Sequence, residues 1–300
     1  MLTVGEEHRD PMEIIVGGKL YAVTFSPDGE CMFSGGDSGV QVWRVKDGKP
    51  VATMEAELVR CLAVSNDGRW IAAGTVPGDV HVWDAKTYNQ VFVHRVHFNY
   101  VNGVDFSPDS TRLVSASSNG TAAIYIATSK QVHMLCHDDW VFAAKYSPQG
   151  DRIAIATLHC VRVYDSNDGR LLVEIKVKLT PLLNTALVWF NNHLLVVSDG
   201  KIKQFEASTG SAVSEWPVPD TNRYSCIALP KHGEFVAYSA GPTVTLWDTA
   251  THTELGLRQH SQRIHPIALS PDSRLLAIGG EDGKITINSL SWVTVRIVSH

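Results

Sequence analysis

A phrase repeated along the whole length constrains this chain more than any other feature. From Tyr21 to Trp43 it reads YAVTFSPDGECMFSGGDSGVQVW: an apolar run, a Ser-Pro-Asp-Gly turn, a second run, a turn at Asp37-Ser38-Gly39, and a third run ending in an aromatic residue. Aligning that final aromatic puts Trp43, Trp83, Tyr125, Tyr164, Phe205 and Trp247 in one column, with Asn288 in the seventh slot. The gaps are 40, 42, 39, 41, 42 and 41 residues. A period of this size marks a supersecondary unit that buries its apolar face only by stacking on its neighbours. The 300 residues, long enough for two domains, therefore read as one array.

The turns support the same register. Ser26-Pro27-Asp28-Gly29 is followed by Ser65-Asn66-Asp67-Gly68, Ser107-Pro108-Asp109-Ser110, Ser147-Pro148-Gln149-Gly150, Pro230-Lys231-His232-Gly233 and Ser270-Pro271-Asp272-Ser273. Proline presets φ, while Asp and Gly supply local hydrogen bonds and positive φ, so these tetrads close hairpins. The fifth copy, around Trp189-Phe190-Asn191-Asn192, blurs the turn. Between turns lie β-branched runs such as Val161-Arg162-Val163-Tyr164, and no segment sustains a helical period.

The dipeptides Trp83-Asp84 and Trp247-Asp248, the weaker Tyr164-Asp165 and Phe205-Glu206, and the recurrent Ser-Pro-Asp-Gly turn resemble the WD40 repeat family over roughly the whole chain. The resemblance implies an all-β fold, a seven-bladed β-propeller of WD40 type with four-stranded blades whose strands run a to d outwards from the channel. Blades are expected to begin near residues 20, 58, 100, 140, 182, 223 and 263. The family often pins a blade with a His before strand a, a Ser or Thr in strand b, an Asp in the b–c turn and the Trp of strand c. In those slots stand His97, His137 and His260, then Asp37, Pro77, Asn119, Leu158, Asp199, Gly241 and Asp282. With Trp43, Trp83, Tyr125, Tyr164 and Trp247 in the aromatic slot, the His and Asp residues form the structural set that the resemblance implies. No blade has every member, and blade 3 comes closest with His97, Ser115 or Ser117, Asn119 and Tyr125. Each missing bond forgoes about 1 kcal/mol, so apolar packing between blades must carry most of the stability.

A ring of blades must close, because an open array leaves bare edges. Two segments compete for the last outer strand, Met12-Glu13-Ile14-Ile15-Val16 and Val293-Thr294-Val295-Arg296-Ile297-Val298. The spacing of the early segment before Phe25 matches that of Val51 before Val64, so the N-terminal strand is expected to complete blade 7. Residues 12–292 then form one propeller, with 1–11 as a tail and 293–300 as a C-terminal strand or tail.

The chain carries no recognisable catalytic or metal-binding motif. Cys31, Cys61, Cys136, Cys160 and Cys226 are odd in number and scattered, which fits reduced core residues. A net charge of −5 without a basic run argues against nucleic acid, and no apolar stretch is long enough for a membrane helix. A cytoplasmic address is the default expectation, with the nucleus as alternative. The expected inward strand-a segments carry only Asp105 and Lys145 as charges, which read as a salt bridge rather than a catalytic pair. His94, His97, His133 and His137 do not make a zinc set, and no cofactor or metal is expected. The W-D-x-R variant of the family is absent, since Trp83-Asp84 is followed by Ala85-Lys86.

Two positions per blade flank the start of strand a, at the mouth formed by the d–a loops. They hold Lys19 and Tyr21, Leu58 and Arg60, Tyr100 and Asn102, Trp140 and Phe142, Leu182 and Asn184, Arg223 and Ser225, and Arg263 and His265. Aromatic and arginine side chains anchor interfaces, so Tyr21, Arg60, Tyr100, Trp140, Phe142, Arg223, Arg263 and His265 are the candidate partner-binding residues. The expectation is a monomeric, non-catalytic scaffold or adaptor for a protein or peptide. The alternatives are a sensor module of a larger signalling protein and, less favoured, a propeller enzyme.

Overall fold

The computed structural model describes residues 11–126, 131–179, 187–217, 226–230 and 233–290. These form seven four-stranded antiparallel sheets, with no helix among the described residues. Six sheets follow chain order from a to d, the first through Leu20–Phe25, Cys31–Gly36, Gly39–Arg44 and Pro50–Met54. The seventh takes strands a to c from Ile264–Leu269, Leu275–Gly280 and Lys284–Ser289, and its strand d from Met12–Ile15. The result is a seven-bladed propeller closed by its N-terminal strand.

The recurrent serine of the a–b turn has a definite task. Its hydroxyl accepts a bond from the amide five residues on, at Cys31, Trp70, Arg112 and Leu275 (2.9 Å each) and at Arg152 (3.1 Å). It thus replaces a ladder rung where the strands part. In four of these turns the same hydroxyl donates to the turn aspartate at 2.5–2.6 Å, as Ser26 does to Asp28. The fourth position is left-handed, with Gly29, Gly68 and Gly150 at φ 73°, 70° and 77°, and Ser110 and Ser273 adopt it at 61°. The fifth blade turns through Asn191-Asn192 alone, with Asn191 at φ 53°, which is why its tetrad is unreadable in sequence.

Apolar packing concentrates at the seams between blades, and each of the seven seams has its own cluster of buried residues. Blades 1 and 2 meet through Phe33, Val42, Met54, Ile71 and Trp83, and blades 5 and 6 through Leu195, Trp216, Val236 and Tyr238. Across the closing seam, Ile14, Ala277, Ile285 and Ile287 face Leu20, Phe25, Met32 and Trp43.

The N-terminal strand pairs antiparallel with strand c of blade 7, Ile14 opposite Ile285, and Val16 N–H donates to Gly283 at 2.9 Å. The competing segment 293–298 lies outside the described residues. Alternation along this strand puts Ile14 in the core at 3% exposure and leaves Ile15 in solvent at 75%. Ile14→Ala should therefore cost about 2–5 kcal/mol, whereas Ile15→Ala should stay within about 0.5 kcal/mol. Urea titration of both variants checks this, and equal losses would contradict closure by this strand.

Candidate functional site

In an antiparallel blade the b–c turns and d–a loops share one end, and the a–b and c–d turns share the other. At the first end, every strand a whose start is described carries a β-bulge. Leu20 pairs with Gly36 and Ala22 with Gly35, leaving Tyr21 outside the ladder. The same break leaves out Arg60 between Val59 and Cys61, Asn102 between Val101 and Gly103, and Phe142 between Val141 and Ala143. In blade 7, His265 and Pro266 fall between the paired Ile264 and Ile267. A bulge kinks its strand and re-aims the extra side chain. The corresponding starts of blades 5 and 6, with the candidate Arg223, lie outside the described residues.

The bulged side chains meet one another along the mouth. Tyr21 and His265 stand edge to face at 5.9 Å, and His265 Nε2 lies 3.0 Å from Glu281 Oε1. Burial pushes the His265 pKa down, opposed by Glu281. Arg60 Nη2 donates to Asn102 Oδ1 at 3.1 Å, and its guanidinium covers the Tyr100 ring at 4.8 Å. Asn102 Nδ2 in turn donates to Ser118 Oγ at 2.7 Å and to the Val141 carbonyl at 2.9 Å, bridging blades 3 and 4. Arg263, just before its strand, is exposed, and its carbonyl accepts from Glu281 N–H at 3.0 Å.

Outside this arc the d–a loops present large apolar groups. Tyr100 is 45% exposed and Trp140 is 55%, with the Trp140 and Phe142 rings 6.3 Å apart. The loop residue before each holds the aromatic's own amide, Asn99 Oδ1 at 2.8 Å and Asp139 Oδ1 at 2.7 Å. Phe98, 89% exposed in the same loop, escaped the sequence analysis because it lies off the two positions compared between blades. Its signal was its place between a candidate structural His and a candidate anchor.

Deeper in the channel, Lys145 Nζ sits 3.3 Å from Asp105 Oδ1, and Asp105 Oδ2 accepts from Tyr146 N–H at 2.9 Å. Burial pushes the Asp105 carboxyl up against the pull of Lys145. Among the described residues no three His, Cys, Asp or Glu side chains converge to hold a metal.

The family-type hydrogen bonds are unequal. In blade 3, His97 Nε2 lies 2.7 Å from Ser115 Oγ, which is 2.9 Å from the Tyr125 hydroxyl. On the other side, His97 Nδ1 is 2.9 Å from Thr121 Oγ1, and Thr121 donates to Asn119 Oδ1 at 2.7 Å. Asn119 thus acts through Thr121. In blade 1, Trp43 Nε1 donates to Ser34 at 2.8 Å, while Asp37 Oδ2 accepts from Lys19 N–H at 3.1 Å. Strand pairing opposite the aromatics puts Ala73, Ile155, Val196, Tyr238 and Ile278 where Ser34 and Ser115 stand. Accordingly the Nε2 atoms of His137 and His260 and the indole nitrogen of Trp247 are buried with no hydrogen-bond partner among the described residues. His137 is held instead edge-on to Tyr164, with Arg162 Nη1 3.2 Å from its Nδ1. Trp83 stacks on His81 at 5.4 Å. Asp199 pairs with Lys203 at 3.1 Å, and Asp282 accepts from Ser261 at 3.0 Å.

The sequence profile of the WD domain, G-beta repeat, matches residues 13–44, 48–84, 88–125 and 252–288. Each match takes the outer strand of one blade and the three inner strands of the next, which is the offset produced by N-terminal closure. The chain is a WD40-repeat protein. Blades 4 to 6, outside the matches, lack the strand-b serine that pins the aromatic, as do the matched blades 2 and 7.

Several proteins resemble this WD40 propeller. Telomerase protein component 1 of Rattus norvegicus is 24% identical over 91% of this chain and 11% of its own length. The intraflagellar transport protein 122 homolog of Xenopus tropicalis is 22% identical over 92% of this chain and 24% of its own length. Eukaryotic translation initiation factor 3 subunit I of Pyricularia oryzae is 22% identical, covering 90% of this chain and 89% of that one. The chain thus spans a quarter or less of the first two relatives.

Two outcomes follow from blade 3 and its neighbour. Ser115→Ala removes the hydroxyl between two buried groups, His97 and Tyr125, and should cost about 1–3 kcal/mol in denaturant titration; no loss would contradict the relay. Burial pushes His97 and His137 down to about 4 from the ordinary 6.5, so both are neutral in the folded chain. Between those values the unfolded chain binds the extra protons, so their stabilisation is full above about pH 6.5 and is lost as pH falls towards 4. A His97→Gln/His137→Gln variant should flatten that part of the stability curve, and an unchanged slope would contradict neutral burial.

Proposed function

We propose that this propeller is a non-catalytic interaction module that holds a protein or peptide partner on its d–a-loop face. The observation that carries this reading is the row of Phe98, Tyr100 and Trp140, exposed beside the bulged arc of Tyr21, Arg60, Asn102, Phe142 and His265. Large rings that leave water on association contribute much area at small entropic cost, which is why they dominate interface energetics. The mutual neutralisation of Lys145 and Asp105 in the channel favours a binding over a catalytic reading. Two relatives bear the words component and subunit in their names, which fits membership of an assembly. A cytoplasmic site of action remains part of the proposal.

The small share that the chain covers of the rat and frog relatives favours a second reading, in which the propeller serves as one module of a larger regulatory protein. Both readings use the same face. Quantitative capture from the source cell should therefore fall at least about tenfold for Phe98→Ala/Trp140→Ala. Lys86→Ala/Arg170→Ala, on c–d turns at the opposite end, should capture as the parent does. Equal capture by all three proteins, with unchanged thermal unfolding, would contradict the assignment of the face.

A further inference from the structure

Most half-buried cations of this propeller are already answered. Lys145 has Asp105 at 3.3 Å, and Arg162 has Glu174 at 2.8 Å. Arg112 donates to the Ser166 carbonyl at 2.6 Å and to the Gly150 carbonyl at 3.2 Å. Arg60 differs. Among the described residues no carboxylate comes within ion-pair distance of it, Nη2 has only the amide oxygen of Asn102, and the buried Nε–H has no acceptor. Nη1 donates to nothing among the described residues.

The surroundings deepen the deficit. The Tyr100 ring covers the guanidinium at 4.8 Å, the Nε atom is shut off from solvent, and burial lowers the arginine's pKa. Withdrawing a cation from water without an anion costs free energy that a later ion pair returns. The bulge that takes Arg60 out of the ladder places this cation at the channel mouth, two blades from the exposed Trp140 and with Tyr100 at the entry of the blade between them. Its amide neighbour is itself fixed by two further bonds, to Ser118 and to the Val141 carbonyl, so the donor fork is held in place before any ligand arrives.

We infer that Arg60 is the receptor for a carboxylate, the Asp or Glu side chain of a partner segment whose apolar neighbours lie on Tyr100 and Trp140. A single guanidinium with an open donor matches a single carboxylate. The exposed rings at the next two blade entries suit a peptide rather than a polyanion. The inference rests on the d–a-loop face being the binding face and adds what that face reads.

Random dodecamer peptides displayed against the full chain give the test. Enriched peptides should carry an acidic residue, and replacing it by its amide should weaken binding to the parent about tenfold or more. Arg60→Gln should weaken the acidic peptide equally, and the amide peptide should bind Arg60→Gln and parent alike; Arg60→Lys, which keeps charge but not the fork, should fall between. Peptides that are lost with Trp140→Ala yet indifferent to both the amide replacement and Arg60→Gln would overturn the carboxylate receptor while leaving the face intact. Peptides indifferent to Trp140→Ala, or no enrichment at all, would overturn the face reading and this inference with it.

Discussion

A four-stranded blade has two apolar faces and cannot bury either by itself, so the structure depends on the seams between blades and on there being no first or last one. Seven separate clusters, one at each seam, meet that demand. The closing seam would be left open without Met12–Ile15, which carries Ile14 in against Ile285 and covers the edge of blade 7. Because the seams carry the fold, the hydrogen-bonded pins can be dispensed with. Blade 3 keeps a connected relay from Asn119 through Thr121, His97 and Ser115 to Tyr125, while blades 4 to 7 put large apolar or aromatic groups where the serine would stand.

That tolerance bears on function. With the blades held by apolar seams, the mouth residues need not serve the fold, and the bulges at the start of strand a free five of them from the ladder. The freed side chains link blade to blade, through Tyr21 to His265 and Arg60 to Asn102, and form a fixed arc with exposed rings beside it. A rigid rim with adaptable loops outside it is a common arrangement for recognition.

The ring was legible because a 39–42-residue period and the Ser-Pro-Asp-Gly turn are local signals that survive divergence. The spacing before Phe25 also pointed to the strand that closes the ring. The task of the turn serine was not legible, since a hydroxyl that replaces a ladder rung and a hydroxyl in a polar turn look alike in sequence. The mouth positions were located by counting, but the reason for their prominence, a bulge, has no sequence mark when the residue is Tyr, Arg, Asn, Phe or His. Filling the family's His slot did not tell whether the His would find a partner. That depends on strand b, and His97 meets Ser115 where His137 meets a blade with Ile155 in that place.

Site-specific photocrosslinking tests the central claim most directly. A benzoyl-phenylalanine at position 140, on the d–a-loop face, is compared in the source cell with one at position 86, on the opposite end. The account predicts a discrete crosslinked partner from position 140 and none from position 86. The same partner captured from position 86 and not from position 140 would contradict it.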